Sequence, residues 1–376
     1  MAPSPVSVAF DIGPTLAPLT GVGQAVVGLQ QALDALEPAP LLVPYLVSWR
    51  AAVPDGGRRL PVPAAVAHRW WARASWPPVD RWLQGSGPAP QVVHGTNYVV
   101  PPTRLPRVVS VYDCWFLRHP DQVHADVARA GSVLRRAVAS GAVVHTSSRA
   151  SADAVHELLG AQVRVEVIAL GAPIAPPAPA STFSPIPELR GRPFVLALGT
   201  LERRKNLPRL IDAFAAVAAA HPDVHLVLAG GGGNDAEAID AALQRLPRST
   251  TPRVLMTGRV DEATKAWLLH HARVLAYPSL DEGFGFPLLE AMQVDLPVVA
   301  ARAGSIPEVA GDAAVLVDPG DVEALAAALT SVLHDEDRRG TLAAAGRARV
   351  AAHPWSATAQ RFADLYAALA MEQSTR

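Results

Sequence analysis

The sequence repeats one pattern twice: short apolar runs alternate with stretches of helical periodicity. The first series begins with "VSVAFDIG" and "GVGQAVVGLQQALDAL", and the second with "FVLALGT" and "LPRLIDAFAAVAAA". Between the two series, residues 173–193 hold so much proline that no helix or strand can run through them. Strand runs that are apolar on both faces are typical of parallel sheets covered by helices. The sequence therefore predicts an α/β protein with two Rossmann-like parallel-sheet domains joined by a linker.

The linker also sets the domain boundaries. We assign residues 1–173 to the first domain, 174–192 to the linker and 193–354 to the second domain. A chain of 376 residues exceeds the length at which a single core stops growing, which agrees with two domains. Open parallel sheets bind ligands beyond the carboxyl ends of their strands. We therefore expect the two domains to face each other across a cleft that binds the ligand.

Composition argues against several classes of protein. The net charge of −1 gives no reason to expect a nucleic-acid partner. Cys114 is the only cysteine, so one chain can build neither a disulfide nor a cysteine-based zinc site. The N-terminus lacks the basic start and long apolar stretch of a signal peptide, and no apolar run is long enough to span a membrane. These features predict a cytoplasmic enzyme, for which contact with the inner face of a membrane stays open.

Glycines and cations gather at predicted strand ends. Gly23 lies near the start of the first helix, and Gly199 follows the first strand of the second domain. The stretch "GTLERRKN", residues 199–206, then places Arg204 and Lys205 just ahead of a helix. Cations and helix-end amides together can bind a diphosphate, although a solvated basic turn is the alternative. Neither a dinucleotide fingerprint nor a P-loop is present, which argues against hydride transfer and P-loop chemistry.

An acidic loop follows later in the second domain. In "LDEGFGFPLLEAM", Glu282 and Glu290 flank a glycine-rich loop, and Pro287 suits the first turn of a helix. Amides at that helix start can receive phosphate, while each carboxylate accepts hydrogen bonds from neutral hydroxyls. A sugar nucleotide has hydroxyls at both ends and phosphates between them. The alternatives are a helix-start acid for Glu290, favoured by the helix dipole, and an ordinary surface acid for Glu282.

These stretches, with "GRVDEATKAWLLHHARVLAYPS" and "PVVAARAGSIPEVAGDAAVLVDP", resemble the retaining family-4 glycosyltransferases of GT-B fold. The resemblance extends through "VVHGTNYVVPP" to the C-terminal "HPWSATAQRFADLYAAL". It implies that the second domain binds a nucleotide-sugar donor and the first domain binds the acceptor. It also implies that the last helix, within residues 355–376, crosses back onto the first domain, and that neither a cofactor nor a metal is required.

The resemblance assigns roles to individual residues. Glu290 would hold the ribose of the donor, and Glu282 the hydroxyls of the transferred sugar. Lys205, helped by Arg204, would neutralise the diphosphate as it leaves. Further donor-side candidates are glycines and loop positions: Gly23, Gly199, Gly283, Phe284, Gly285, Phe286, Pro287 and Leu288. The acceptor-side candidates are His94, Asp113 and Arg118.

One position departs from the family pattern. Where the family commonly has a His-Asp pair, this chain has Tyr112 and Asp113. A tyrosine can donate a hydrogen bond, but with an ordinary pKa of about 10 it cannot act as a base near neutrality. We predict that Tyr112 lines the catalytic cleft; a packed strand-end aromatic is the alternative. His94 and His145 are nearby candidates, for which a structural role is the commoner interpretation.

Two further stretches stand apart from the main pattern. The segment "HRWWARASWPPVDRW", residues 68–82, could stack on an acceptor glycan or lie at a membrane interface, but burial in the core of the first domain is the favoured interpretation. Asp335 and Asp337 form an acid-x-acid match that we interpret as a solvated helix end rather than a metal site.

The sequence thus predicts a retaining, metal-independent glycosyltransferase. It would move a hexose from a nucleoside-diphosphate sugar, with GDP-mannose as the first guess, to a glycan or lipid-linked acceptor. Two alternatives stay open. One is a sugar-nucleotide epimerase of the same architecture, and the other, motivated by Tyr112, is a sugar-nucleotide-binding protein without catalysis.

Overall fold

The computed structural model describes residues 5–16, 19–85, 87–181 and 184–375. The chain forms two compact units: unit 1 comprises residues 1–171 and 353–376, and unit 2 comprises residues 172–352. Thr182 and Phe183, which belong to the predicted linker, lie outside the described residues.

The described part of unit 1 contains a parallel sheet. Its strands are β1 (Ser7–Asp11), β2 (Leu41–Val47), β3 (Arg58–Leu60), β4 (Val92–Gly95), β5 (Arg107–Ser110), β6 (Val143–Thr146) and β7 (Val165–Val167). Their order across the sheet is β3-β2-β1-β4-β5-β6-β7. The helices that precede unit 2 are α1 (Gly21–Asp34), α2 (Ala64–Arg73), α3 (Asp80–Leu83), α4 (Trp115–Arg118), α5 (Ala125–Ala139) and α6 (Arg149–Leu159).

The strands β2 and β3 were not predicted. Pro44 obscures β2, because proline cannot donate to a sheet ladder and argues against a central strand. In the structure β3 first pairs with β2 opposite Tyr45, so β2 is still an edge at Pro44. The proline is tolerated because β3 joins the sheet only after this position, so no strand needs the missing N–H of Pro44.

Unit 2 contains the second parallel sheet. Its strands are β8 (Phe194–Leu198), β9 (His225–Ala229), β10 (Val254–Gly258), β11 (Val274–Tyr277), β12 (Val298–Ala301) and β13 (Ala314–Val317). Its helices are α7 (Leu207–Ala220), α8 (Ala236–Arg245), α9 (Glu262–His271), α10 (Phe286–Gln293), α11 (Ile306–Ala310), α12 (Val322–His334) and α13 (Glu336–Ala351). The strand order is β10-β9-β8-β11-β12-β13. The prediction of two parallel-sheet α/β domains is confirmed.

The last helix, α14 (Trp355–Ser374), belongs to unit 1 and packs against α1. Phe362 and Tyr366 bury their side chains completely in the core that α14 shares with the sheet. At the start of the helix, the Trp355 ring lies where side chains at Gly28 and Gly171 would otherwise be. Glycine is required at both positions, because an added Cβ would overlap the indole.

The tryptophan-rich segment of residues 68–82 divides between core and surface. Trp71, on α2, is 2% exposed, as the favoured interpretation predicted. Trp70 and Trp76 are 40% and 63% exposed, and their ring centroids lie 6.2 Å apart. Core burial therefore describes Trp71 but not these two. Among the described residues, no helix has both the length and the apolarity to cross a membrane.

Candidate functional site

The basic triplet of unit 2 lies in a fixed turn between β8 and α7. Arg203–Lys205 form a short 3-10 turn, and Asn206 follows in the left-handed region at φ 55°. Its side-chain amide donates to the carbonyls of Pro278, at 3.1 Å, and Pro319, at 3.0 Å. Sequence reasoning did not single out Asn206, which ties the turn to the loops that follow β11 and β13.

Gly199 makes room for Lys205. Its φ of +138° is unusual for a residue with a side chain, and an added Cβ would lie 3.1 Å from Lys205 Cε. The lysine side chain therefore passes close over the backbone at the end of β8. Lys205 Nζ reaches the hydroxyl of buried Tyr277 at 3.3 Å and lies 4.9 Å from the centroid of its ring.

The acidic loop lies between β11 and α10. Gly285 adopts a left-handed conformation at φ 89° and precedes α10, and Pro287 lies in the first helical turn, as predicted. The loop is bound to the basic turn through the backbone, because the amide of Leu280 donates to the Arg204 carbonyl at 2.8 Å. Hence the two motifs form one site in the folded chain.

Glu282 is the centre of that site. It is 7% exposed, accepts a hydrogen bond from Lys205 Nζ at 2.6 Å and forms an ion pair with Arg204 Nη1 at 2.7 Å. Burial alone would raise the pKa of Glu282, but the charges of Arg204 and then Lys205 outweigh it and lower the pKa to about 2. The carboxylate is therefore ionised at physiological pH, and two cations share it.

Glu290 has a cation of its own. It lies on α10, is 6% exposed and accepts from Lys265 Nζ of α9 at 2.8 Å. Burial alone would lower the pKa of Lys265. The charges of Glu290 and then Glu262 outweigh burial, so the pKa of Lys265 is raised. Lys205 and Lys265 are the only lysines of the chain, and each of them binds one of the two predicted glutamates. Lys265 was missed, although the scarcity of lysine was a usable signal.

The remaining donor-side candidates are the loop and first-turn residues of α10, and Gly23 in unit 1. Gly283, Phe284, Phe286 and Leu288 lie in the loop and first turn of the helix whose second turn carries Glu290. Gly23 is placed differently. Its amide donates to Thr20 Oγ1 at 3.3 Å and caps α1, and an added Cβ would lie 2.6 Å from the Pro14 carbonyl oxygen. This amide serves the helix cap, and its contact with a phosphate or sugar stays a prediction.

His94 lies in the core of unit 1. Its Nδ1 is 2.7 Å from the Tyr366 hydroxyl, and its Nε2 is 2.8 Å from Ser110 Oγ. Ser110 Oγ also lies 2.9 Å from His145 Nδ1, and His145 Nε2 lies 3.0 Å from the Ile168 carbonyl. Both imidazoles are fully enclosed, which favours the structural role that was the commoner interpretation. A contact of His94 with an acceptor stays a prediction.

The other candidates in unit 1 lie nearer the surface. Tyr112 is 8% exposed, and its ring meets those of Tyr98 and His145 edge-on, each at 6.3 Å between centroids. Asp113 accepts from the Trp115 amide at 3.1 Å, and Arg118 pairs with Glu157 at 2.5 Å. Tyr112 is thus packed on its flanks, and its place in the catalytic cleft stays a prediction.

No set of three or more His, Cys, Asp or Glu side chains could hold a metal ion within the part of the chain that the structure describes. Asp335 instead caps α13 by accepting from the Arg338 amide at 2.9 Å. Metal independence itself stays a prediction.

Comparison with known proteins identifies the class. Residues 182–349, somewhat less than half of the chain, match the family described as "Glycosyl transferases group 1". The sucrose-phosphate synthase structure from Thermosynechococcus elongatus superposes with a TM-score of 0.70 at 20% identity, covering 97% of this chain and 99% of that one. The fold is therefore that of the GT-B glycosyltransferases.

Sequence relatives agree with this class. The chain is similar to the O-antigen chain mannosyltransferase B of Escherichia coli, at 29% identity over 272 residues, which are 70% of this chain and 71% of the relative. It is also similar to the phosphatidyl-myo-inositol mannosyltransferase of Mycobacterium leprae, at 33% identity over 201 residues, 51% of this chain and 52% of that protein. Residues 182–349 therefore carry a glycosyltransferase group 1 domain, which confirms the resemblance noted in the sequence.

Proposed function

We propose that the protein is a retaining, metal-independent hexosyltransferase that uses a nucleoside-diphosphate sugar, GDP-mannose first, and an acceptor that is a glycan or is linked to a lipid. The observation that carries the proposal is the pairing of both motif glutamates with the two lysines of the chain, at 2.6 and 2.8 Å. Glu282, which its cations keep ionised, accepts hydrogen bonds from sugar hydroxyls more strongly than a neutral group does.

Each pair serves a different part of the donor in this proposal. Glu290 holds the ribose. Lys205 and Arg204 receive the diphosphate, which competes with Glu282 for their hydrogen bonds and releases its carboxylate to the hydroxyls of the transferred hexose. Because negative charge grows on the leaving phosphate as the glycosidic bond breaks, the two cations stabilise the transition state more than the ground state.

Transfer with retention keeps the acceptor on the face from which the diphosphate departs. The bond between the anomeric carbon and the phosphate oxygen breaks, the acceptor oxygen bonds to the same carbon, and the departing phosphate takes the acceptor proton. No side chain has to act as a base, so a tyrosine at position 112 is compatible with catalysis.

The names of the relatives support a mannosyl donor and suggest the kind of acceptor. Both are called mannosyltransferases, one of an O-antigen chain and one of phosphatidyl-myo-inositol. A lipid-linked acceptor would bring the protein to a membrane surface, and we propose its cytoplasmic face.

A donor panel tests the proposal. The full chain is incubated with GDP-mannose, GDP-glucose, UDP-glucose and UDP-N-acetylglucosamine, with and without EDTA, and the nucleotide and the sugar are identified after the reaction. We expect slow release of nucleoside diphosphate, fastest from GDP-mannose and unchanged by EDTA.

The other outcomes each identify a different protein. An altered sugar in the absence of acceptor indicates an epimerase, and nucleotide binding without turnover indicates a non-catalytic binding protein. Loss of turnover in EDTA with recovery on added Mg²⁺ would disprove metal independence alone.

A further inference from the structure

Unit 1 contains a cavity of about 650 Å³ at the amino ends of two strands of its sheet. Arg107 and Val143, the first residues of β5 and β6, line it together with the last residues of α5 and α14. The predicted acceptor-side residue Asp113 instead follows the carboxyl end of β5. Small-molecule sites have volumes of about 300–1,000 Å³. The cavity is therefore large enough for a ligand, and it is separate from the predicted acceptor side.

Arg107 is a buried cation with no acid of its own. It is 8% exposed, and its Nη2 donates to the Ser140 carbonyl at 2.6 Å and to Ser140 Oγ at 3.2 Å. Within the described residues no carboxylate forms an ion pair with Arg107, and its Nε and Nη1 have no hydrogen-bond partner. Burial lowers the pKa of Arg107, and the charge of Asp80 opposes burial only in part. A buried charge without a paired opposite charge destabilises a fold, and a bound anion would remove that cost.

Arg58 shows what a buried arginine with a structural role looks like in this unit. It is 9% exposed, and its Nε donates to the Leu83 carbonyl at 3.2 Å while its Nη1 donates to the Gly56 carbonyl at 2.6 Å. Arg107 uses a single nitrogen, at the residue that caps the carboxyl end of α5. Capping of α5 therefore explains one nitrogen of Arg107 and leaves the N–H groups of the other two for a ligand.

Two more arginines line the cavity. Arg104 is exposed, and its guanidinium has no partner among the residues that the structure describes. Arg164 Nη1 donates to both carboxylate oxygens of Glu372, at 2.9 and 3.1 Å, and so neutralises the one acid among the described lining residues. Two positive charges, those of Arg104 and Arg107, remain without a lining acid. Two guanidinium groups balance a dianion, and their forked N–H donors match the oxygens of a phosphate.

We propose that this cavity binds a small phosphate monoester, with its phosphate on Arg104 and Arg107. The site goes beyond the proposed function and does not depend on it. Gln162 and Gln373 also line the cavity, and their amides can donate to and accept from hydroxyls on the rest of the ligand. A single carboxylate would leave one of the two charges unpaired, and a neutral sugar would leave both.

Hydrogen–deuterium exchange of the full chain, titrated with glycerol 3-phosphate, glycerol or acetate, reads this cavity separately from any site in unit 2. The cavity is lined by residues in segments 103–107, 138–143 and 369–373. We expect glycerol 3-phosphate to slow exchange in these segments with a midpoint in the millimolar range. Glycerol should have no effect, and acetate should be much weaker than glycerol 3-phosphate.

Three variants change the charge of the cavity in opposite directions. Arg104→Gln should raise the midpoint about threefold, and Arg107→Lys about tenfold, because lysine keeps the charge but loses the forked donors. Glu372→Gln frees Arg164 from its acid, so it should lower the midpoint about threefold. Arg69→Gln is the matched control: it changes an exposed arginine on α2 that does not line the cavity and should leave the midpoint unchanged.

The exposed positions of Arg104 and Glu372 keep the test decisive even if Arg107→Lys does not fold. The proposal is overturned if glycerol 3-phosphate up to about 50 mM, well above a millimolar dissociation constant, slows exchange in none of the three segments. It is also overturned if acetate is equally effective, or if neither Arg104→Gln nor Glu372→Gln moves the midpoint. Vesicles of phosphatidic acid identify a lipid source: protection by vesicles without protection by glycerol 3-phosphate contradicts a soluble ligand and overturns the proposal.

Discussion

Lys205 and Lys265 explain how two acids can be buried in one small site. An ionised carboxylate that loses its only buried partner destabilises a protein by about 3–5 kcal/mol. Glu282 and Glu290 are 7% and 6% exposed, yet each accepts from a lysine at under 3 Å. Arg204 adds a second cation to Glu282. The two acids therefore have different electrostatic surroundings, which agrees with different roles.

We predict that substitutions of the two acids separate binding from turnover. Glu290→Gln should weaken GDP binding about ten- to hundredfold, because the ribose stays with the product nucleotide and loses a charge-assisted hydrogen bond. Glu282→Gln should leave GDP affinity nearly unchanged and lower turnover by a similar factor, because the transferred sugar is absent from GDP. Titration calorimetry and steady-state rates measure the two effects.

The control for this pair is Glu237→Gln, which changes an exposed acid on α8 of the same unit and should alter neither quantity. Equal losses of GDP affinity in Glu282→Gln and Glu290→Gln would contradict the division of roles.

At the scale of elements, a chain of hydrogen bonds attaches α14 to three strands of unit 1. The Ile168 carbonyl can only accept, so His145 Nε2 donates to it and Nδ1 accepts from the Ser110 hydroxyl. Ser110 Oγ then accepts from His94 Nε2, and His94 Nδ1 accepts from the Tyr366 hydroxyl of α14. Every proton of the chain is assigned, and both imidazoles are neutral.

These hydrogen-bonded histidines predict that unit 1 loses stability in acid. Burial, followed by the charge of His145, holds the pKa of His94 well below its usual range, and burial lowers that of His145 to about 4. Since the folded pKa is below the unfolded value of about 6.5, stability is complete above pH 6.5 and falls as the pH drops toward 4. Each unit of difference between folded and unfolded pKa is worth about 1.4 kcal/mol.

Chemical unfolding measured across this pH range checks the prediction. His145→Gln cannot gain a proton, so its stability should fall less steeply with acid than that of the wild type, even if it starts lower. His124→Gln, at an exposed position of the same unit, should keep the full slope. An unchanged slope in His145→Gln would show that other groups cause the acid loss.

For the whole molecule, local sequence patterns predicted much of the fold, whereas contacts between distant parts of the sequence could not be predicted. Apolar runs and helical periodicity are local, so α7 was predicted at its observed bounds, Leu207–Ala220. The strand β2 was missed because Pro44 disguises it. Within the candidate site, Glu282, Glu290 and Lys205 were recognisable from their motifs. Lys265 lies on another helix, and only the folded chain brings it to Glu290.

The same limit explains the histidines. His94, Ser110, His145 and Tyr366 are spread over 272 positions of sequence, and nothing local shows that they share one chain of hydrogen bonds. The three arginines that line the cavity of unit 1 likewise come together only in the folded chain.

The central claim is that the nucleotide of the donor is held by unit 2, between its two lysine–glutamate pairs. Hydrogen–deuterium exchange of the full chain, with and without saturating GDP, tests it most directly, because every segment is observed in one experiment. The residues concerned lie in segments 199–206, 258–267 and 280–292. We predict that GDP slows exchange in all three and that Glu290→Gln removes this protection at the same GDP concentration. GDP binding, verified by calorimetry, without slower exchange in any of the three segments would contradict the account.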